Sequence, residues 1–261
     1  MDWFQLPWAR VAETITEFIR DQMRGAGRER GIIGLSGGLD STVSAFAAAA
    51  ALGPDNLIGF MLPYDTSSEQ SRRDALMAAK VLGIRHEHID ITPQIDAYFE
   101  HFPEANRLRR ANKMARERMS VLYDQSERFH ALVVGTGNRT EALLGYTTLW
   151  GDMACAFNPV GDLYKTQVRQ FACHLGVPTE IIAKPPSADL WQGQTDEGEL
   201  GFSYDEADGI LHRLVDRRLT AEQVIAEGFS ASVVDRVVTQ MERSAFKRRM
   251  PPCPELRGLA V

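Results

Sequence analysis

Residues 36–42 read Ser-Gly-Gly-Leu-Asp-Ser-Thr, directly after the apolar run Gly31-Ile32-Ile33-Gly34-Leu35 and directly before the alanine-rich segment Val43 to Leu52. A buried strand, a glycine-rich turn and a helix in that order confine the chain to folds in which a strand feeds a helix through an anion cradle. The residues of that cradle are Gly34, Leu35, Ser36, Gly37, Gly38, Leu39, Asp40 and Ser41. Glycines let backbone N–H groups close on a phosphate, the loop hydroxyls add donors, and the helix N-terminus adds partial positive charge. Asp40 is the odd member. A carboxylate inside an anion site acquires a purpose when it holds a Mg2+ that arrives with the phosphates.

The loop lacks the Gly-Lys-[Ser/Thr] ending of a P-loop, and Gly37-Gly38-Leu39 is not the dinucleotide fingerprint. Around it, strand and helix patterns alternate. Trp8, Val11, Ile15, Phe18, Ile19 and Met23 recur at helical spacing until Gly25-Ala26-Gly27 breaks the pattern. Leu57 to Leu62 reads as a second strand ending at Pro63, and a Ser67-x-x-Gln70 capping pattern opens a helix over 68–82. Arg85 to Ile91 is a short alternating strand, Thr92-Pro93 opens another helix, Ala131 to Gly135 is a further buried strand, and a helix follows near Arg139 to Leu144.

This alternation implies an α/β fold, a doubly wound and mostly parallel sheet with helical N- and C-terminal additions. In such a sheet Ser36 to Ser41, Pro63 to Thr66 and Thr136 to Glu141 fall at the carboxyl ends of the strands, around one crevice. Beyond Leu175 the chain turns to loop and helix, polar from Lys184 to Gly201, with helix starts at Ser203-x-x-Glu206 and Thr220-x-x-Gln223. That third reads as an appendage to the nucleotide-binding part, so that residues 1–261 form a single unit without room for a glutaminase domain.

With 29 Lys+Arg against 35 Asp+Glu the net charge of −6 argues against a broad nucleic-acid surface. Cys155, Cys173 and Cys253 are too few and scattered for a disulfide framework, and the amino-terminal residues lack a signal-peptide pattern, so a cytoplasmic protein with no membrane partner is expected. His86 and His88 share one face of a strand, where an edge-strand surface is the simpler reading than a metal site.

The loop resembles the pyrophosphate loop of the N-type ATP pyrophosphatases, which cleave ATP between its α and β phosphates. Further blocks resemble the NAD synthetase family: 112–119, Gly135 to Glu141, Gly161 to Val168, Lys184 to Leu190, Gly193 to Glu197 and 247–249. The resemblance implies a Rossmann-like sheet of the ATP pyrophosphatase type and an ATP-dependent, amide-forming ligase, in which a carboxylate attacks the α-phosphorus and ammonia then displaces AMP. By the same resemblance ATP and Mg2+ are the cofactors, Asp40 and Glu141 are the metal ligands, and Lys165, Thr136 and Ser187 contact the nucleotide. It further implies a homodimer, built partly from the arginine-rich helix and the first helix, with Arg116, Asp152 and Lys247 on the acyl substrate. Asp40, Lys165 and Asp152 stand as the catalytic candidates. Ammonia is free or comes from a separate glutaminase.

On the acyl side the chain departs from the family. Where the family carries a lysine, a glycine pair and an aspartate, residues 148–156 read Thr-Leu-Trp-Gly-Asp-Met-Ala-Cys-Ala, so that Leu149, Met153-Ala154 and Ala156 stand in those places, and Phe246 replaces a histidine before Lys247. An apolar lining from Leu149, Trp150, Met153, Ala156 and Phe246 suits a different or smaller acid. Deamido-NAD is the default substrate, and nicotinate mononucleotide or an unrelated carboxylic acid is the alternative. Two further classes share the loop, a tRNA-modifying or sulfur-transferring enzyme and a nucleotide-binding regulator without catalysis; the acidic balance and the absence of paired cysteines count against the first, and the presence of Asp40, Glu141 and Lys165 against the second.

Overall fold

The alanine-rich helix after the loop decides how closely the layers pack. In the computed structural model, which describes residues 5–187, 189, 191 and 193–254, that helix is buried along nearly its whole length. Met1 to Phe4 of the amino-terminal segment, and Ala188 and Leu190 of the Lys184 block, lie outside the described residues. Helix α1 (Trp8–Gly25) buries Ile15, Ile19 and Met23 on one stripe; strand β1 (Arg30–Gly34) then leads through the loop into α2 (Leu39–Leu52). Small side chains on α2 allow it to lie against the sheet, α1 and a later helix at once.

Strand β2 (Leu57–Met61) is buried throughout, α3 (Glu69–Leu82) follows, and β3 (Arg85–His88) is mostly exposed. The α3 cap falls one residue later than the Ser67 pattern suggests, because the Ser68 side chain accepts from the Ser71 backbone N–H at 3.0 Å while Ser67 Oγ accepts from Tyr64 N. Helices α4 (Thr92–Phe99) and α5 (Arg107–Phe129) cross to β4 (Ala131–Val133), and α6 (Arg139–Leu144) completes the expected series. The third strand stops at His88, short of Ile91, since its partner β2 ends at Met61: Ile89 N donates to Met61 O, and Ile91 N to Pro63 O past the end of that strand.

All the pairings are parallel, in the order β3-β2-β1-β4, and an isolated parallel bridge joins Val134 to Phe157 outside β4. The chain moves one way from β1 to β2 and β3, then returns to the other side of β1 for β4. The crevice where ligands bind in such sheets therefore opens between the ends of β1 and β4. One apolar cluster joins the sheet to α1, α2 and α3, and another joins it to α4 and α5 on the opposite face.

The remaining helices are α7 (Lys165–Leu175), α8 (Thr179–Ile182), α9 (Asp196–Leu200), α10 (Tyr204–Leu211), α11 (Ala221–Ala226) and α12 (Ala231–Arg243), with a π turn at His212–Asp216 and a 3-10 turn at Ala245–Arg248. The capping boxes at Ser203/Glu206 and Thr220/Gln223 form as their spacing predicts. The C-terminal third is more than an appendage. Leu144 and Tyr164 join its apolar cluster, and Asp208 of α10, fully buried, reaches the starts of α6 and α7. Its Oδ1 accepts from the Thr140 hydroxyl and its Oδ2 from Thr166 N at 2.8 Å and Thr166 Oγ1 at 2.7 Å, while Lys165 N donates to Thr140 Oγ1 at 2.9 Å.

Removing Asp208 leaves buried donors unpaired, so Asp208→Ala is expected to cost about 3 kcal/mol in chemical denaturation. Burial raises the Asp208 carboxyl from its ordinary 3.8 to about 6. The folded state thus holds the proton more tightly than the unfolded state, and the stability this group contributes falls as pH rises from about 4 to about 6, then stays level. Asp208→Ala is expected to lose that slope when unfolding is followed across the same pH range.

Candidate active site

Gly37 has φ of +76°, and a Cβ placed there would lie 2.1 Å from the backbone oxygen of Ser71, so the loop rests directly on the first turn of α3 and only glycine fits. Ser36 Oγ and Ser41 Oγ lie 2.9 Å apart; Gly38 N donates to Ser36 Oγ at 3.2 Å, and the hydroxyls of Ser41 and Thr42 donate to Gly38 O. The hydroxyls thus set the loop's shape from within.

Asp40, on the first turn of α2, meets two other helix starts. Its Oδ1 accepts from Asn138 Nδ2 at 3.2 Å, and its Oδ2 is paired with the ammonium of Lys165 on α7. Glu141 on α6 caps its own helix by accepting from Asn138 N, and its other oxygen lies 3.6 Å from Lys165 Nζ. Lys165 is 5% exposed. Burial works against its charge, but Asp40 and Glu141 outweigh burial and hold its pKa above the ordinary lysine range. Burial, and then the neighbouring Asp40, push the Glu141 carboxyl up. This pair asks for more positive charge than one ammonium supplies.

These groups line a cavity of about 550 Å³ together with Gly34, Leu35, Ser36, Gly38, Leu39, Ser41, Thr136 and Ser187. Gly37 shapes the loop from behind and is not on the cavity wall. Asp196, also on the wall, accepts from the phenols of Tyr146 at 3.2 Å and Tyr204 at 3.0 Å, and the Lys165 ammonium lies 5.2 Å from the Tyr204 ring.

Lys184 fastens the arrangement. Its Nζ donates to Gly37 O at 3.2 Å, Ser71 Oγ at 3.0 Å and the buried Asp74 at 2.9 Å, and five residues later Asp189 accepts from Ser68 N. The segment that carries Ser187 is thereby pinned to α3 on both sides of that serine. Lys184, Asp196 and Tyr204 were not among the sequence-predicted site residues, although Lys184 and Asp196 fall inside blocks that resemble the family.

The family model described as NAD synthase matches residues 11–251. The chain belongs to the NAD synthase family. It is 47% identical over 251 residues to the NH(3)-dependent NAD(+) synthetase of Trichlorobacter lovleyi, covering 96% of this chain and 92% of that protein. Among solved structures, the NMN synthetase of Francisella tularensis superimposes with a TM-score of 0.86 at 32% identity, over 96% of this chain and all of the other. The NH3-dependent NAD synthetase of Campylobacter jejuni, in complex with the nitrate ion, gives 0.83 at 30% identity, again over 96% of this chain and 100% of that one.

Set beside this NAD synthase core, the residues expected on the acyl side are only partly gathered. Asp152 lines the cavity and accepts from Thr148 N at 2.6 Å. Lys247 lies outside the wall, its ammonium spent on Gly145 O at 2.8 Å and Thr147 O at 2.6 Å, so it holds the start of the acyl-side loop. Arg116 is exposed and donates to Leu149 O at 3.2 Å. The apolar lining expected from Leu149, Trp150, Met153, Ala156 and Phe246 is not part of this cavity; Trp150 and Phe246 are 52% and 61% exposed. Leu149 and Met153 are half-buried and Ala156 is exposed.

Lys184→Met would leave Asp74 buried without its cation and is expected to cost about 3 kcal/mol in denaturation, with ATP binding weakened about tenfold. Asp74→Leu in the same chain is expected to recover most of the stability and little of the ATP affinity, as read by calorimetric titration.

Proposed function

We propose that this chain amidates deamido-NAD to NAD, using ATP to activate the carboxylate and ammonia as the nitrogen source. The observation that carries the reading is the cluster of Asp40, Glu141 and the buried Lys165 beside an anion loop, a charge arrangement suited to a metal-bound phosphate. Carboxylate and triphosphate repel one another, so the chemistry demands neutralisation more than acid-base power. The loop's N–H groups and the start of α2 would receive phosphate oxygens; Lys165, fixed by Asp40, would follow the charge that builds on the departing pyrophosphate. Thr136 and Ser187, both on the wall, would hold nucleotide oxygens. Asp152 and Arg116 would serve the acid.

Mg2+ suits the residues present. Asp40 and Glu141 are hard oxygen donors that would hold the ion, and among the described residues no third metal-ligating side chain joins them, so phosphate oxygens and water would supply its remaining ligands. Bound there, Mg2+ would neutralise phosphate charge and orient the α-phosphorus. We place the protein in the cytoplasm as a homodimer using α1 and α5, with free ammonia or a separate glutaminase as supply and residues 1–261 as one functional unit. No described helix is long and apolar enough to cross a membrane.

A second reading is supported by two observations: the likeness to the Francisella tularensis NMN synthetase and the apolar residues Leu149, Ala156 and Phe246. In it the acid is nicotinate mononucleotide, and the same adenylation gives the mononucleotide amide. AMP release measured with both acids separates the readings. Deamido-NAD is expected to give a kcat/KM at least about tenfold higher, and preference for nicotinate mononucleotide would replace the first reading with the second. Asp40→Asn is expected to lower turnover with either acid by about 100-fold or more.

A further inference from the structure

Helix α5 presents two arginines two residues apart, and they face different ways. Ala115, Arg118, Met119 and Leu122 line the cavity, and their spacing of three and four residues puts them on one helical face. Arg116, about 200° from Arg118 around the helix, points outward to Leu149 O. The acyl-side loop straddles the two faces one turn earlier: Thr148 Oγ1 donates to Asn112 Oδ1 at 2.8 Å, four residues before Arg116, and a Cβ on Gly151 would stand 3.0 Å from the Ala115 Cβ, three residues before Arg118.

Arg118 is held and yet unspent. Its Nε donates to Leu62 O at 3.0 Å, just past the end of β2, and its two Nη groups have no hydrogen-bond partner among the described residues. Burial lowers its pKa, while Asp189 and Asp152 favour its charge. Asp189 belongs to the segment that carries Ser187, and Asp152 to the acyl-side loop. The guanidinium thus stands at the seam between the nucleotide half and the acid half of one cavity.

Other cations on the wall have other duties. Lys165 and Lys184 are bound to carboxylates, whereas Arg72 and Arg169 are exposed to solvent, and Arg169 stands on α7, across the sheet from α5 and the acyl-side loop. A planar fork of free N–H groups in a partly desolvated wall matches a carboxylate, and the phosphates already have the loop and Lys165.

We propose that Arg118 binds the carboxylate of the acid substrate and positions it for attack on the α-phosphorus of ATP, with its two Nη groups donating to the carboxylate. The inference rests on the ligase reading above. In the step, one carboxylate oxygen forms the new bond to phosphorus, the bond between the α-phosphorus and the bridging oxygen breaks, and pyrophosphate leaves with that electron pair; Arg118 neither gains nor loses a proton.

The test uses the full-length protein and its Arg118→Met and Arg118→Lys variants, with deamido-NAD and nicotinate mononucleotide as acids. Arg118→Met is expected to lower kcat/KM for the preferred acid by about 100-fold or more, with the Kd for a non-hydrolysable ATP analogue within about threefold of wild type. Arg118→Lys, which keeps charge and stem but loses the fork, is expected to lose about tenfold, and ethylguanidinium is expected to restore part of the Arg118→Met activity. The lysine variant carries the test alone should the methionine variant fail to fold. Unchanged kcat/KM in the folded variants, or loss confined to the ATP analogue, would overturn the assignment. Absence of turnover by wild-type protein with both acids would instead sink the ligase reading, so the two failures are told apart.

Discussion

Two carboxylates drawn together and partly out of water repel each other unless a cation comes between them. Asp40 and Glu141 arrive from opposite sides of the crevice, one after β1 and the other after β4, and Lys165 comes from a third helix to join them. The starts of α2, α6 and α7 are therefore tied to one point, and the partial positive charges of their first turns add to the ammonium there. Move any of these helices and a charge is stranded in a medium where stranding is costly. The crevice owes its shape to that constraint as much as to the strand order.

The residue that holds those helix starts in register comes from the far end of the chain. Asp208 takes hydrogen bonds from Thr140, the residue before Glu141, and from Thr166, the residue after Lys165. The C-terminal third then lends Asp196 and the ring of Tyr204 to the same wall. A helical segment that looks peripheral along the sequence is thus the brace behind Glu141 and Lys165 of the NAD synthase site.

What could be read from the sequence was what is local. The strand, loop and helix around Ser36, and the capping boxes at Ser203/Glu206 and Thr220/Gln223, each depend on residues a few positions apart, and each is present. Lys184 was out of reach, since its partner Gly37 lies 147 positions away and a single lysine leaves no periodic trace. The phase of α5 was hidden for another reason. Charges surround much of that helix, so spacing alone does not say which arginine turns toward the sheet, and the family pattern points to Arg116. The acyl-side residues illustrate the same limit: Leu149 and Phe246 are apolar, yet neither is on the cavity wall, Leu149 being held by its carbonyl to Arg116 and Phe246 standing exposed.

The loop at Gly37 and the loop at residues 147–156 are held by different kinds of contact, and so they age differently under mutation. The first is closed on every side, glycine upon the Ser71 main-chain oxygen, its own hydroxyls turned back on Gly38, and Lys184 on the Gly37 carbonyl. The second hangs on side chains, Asn112 to Thr148, Asp152 to the Thr148 backbone and Lys247 to two carbonyls. A lineage carrying this fold has a rigid engine and an adjustable inlet. It is free to try new acids while the means of activating them stays as it was.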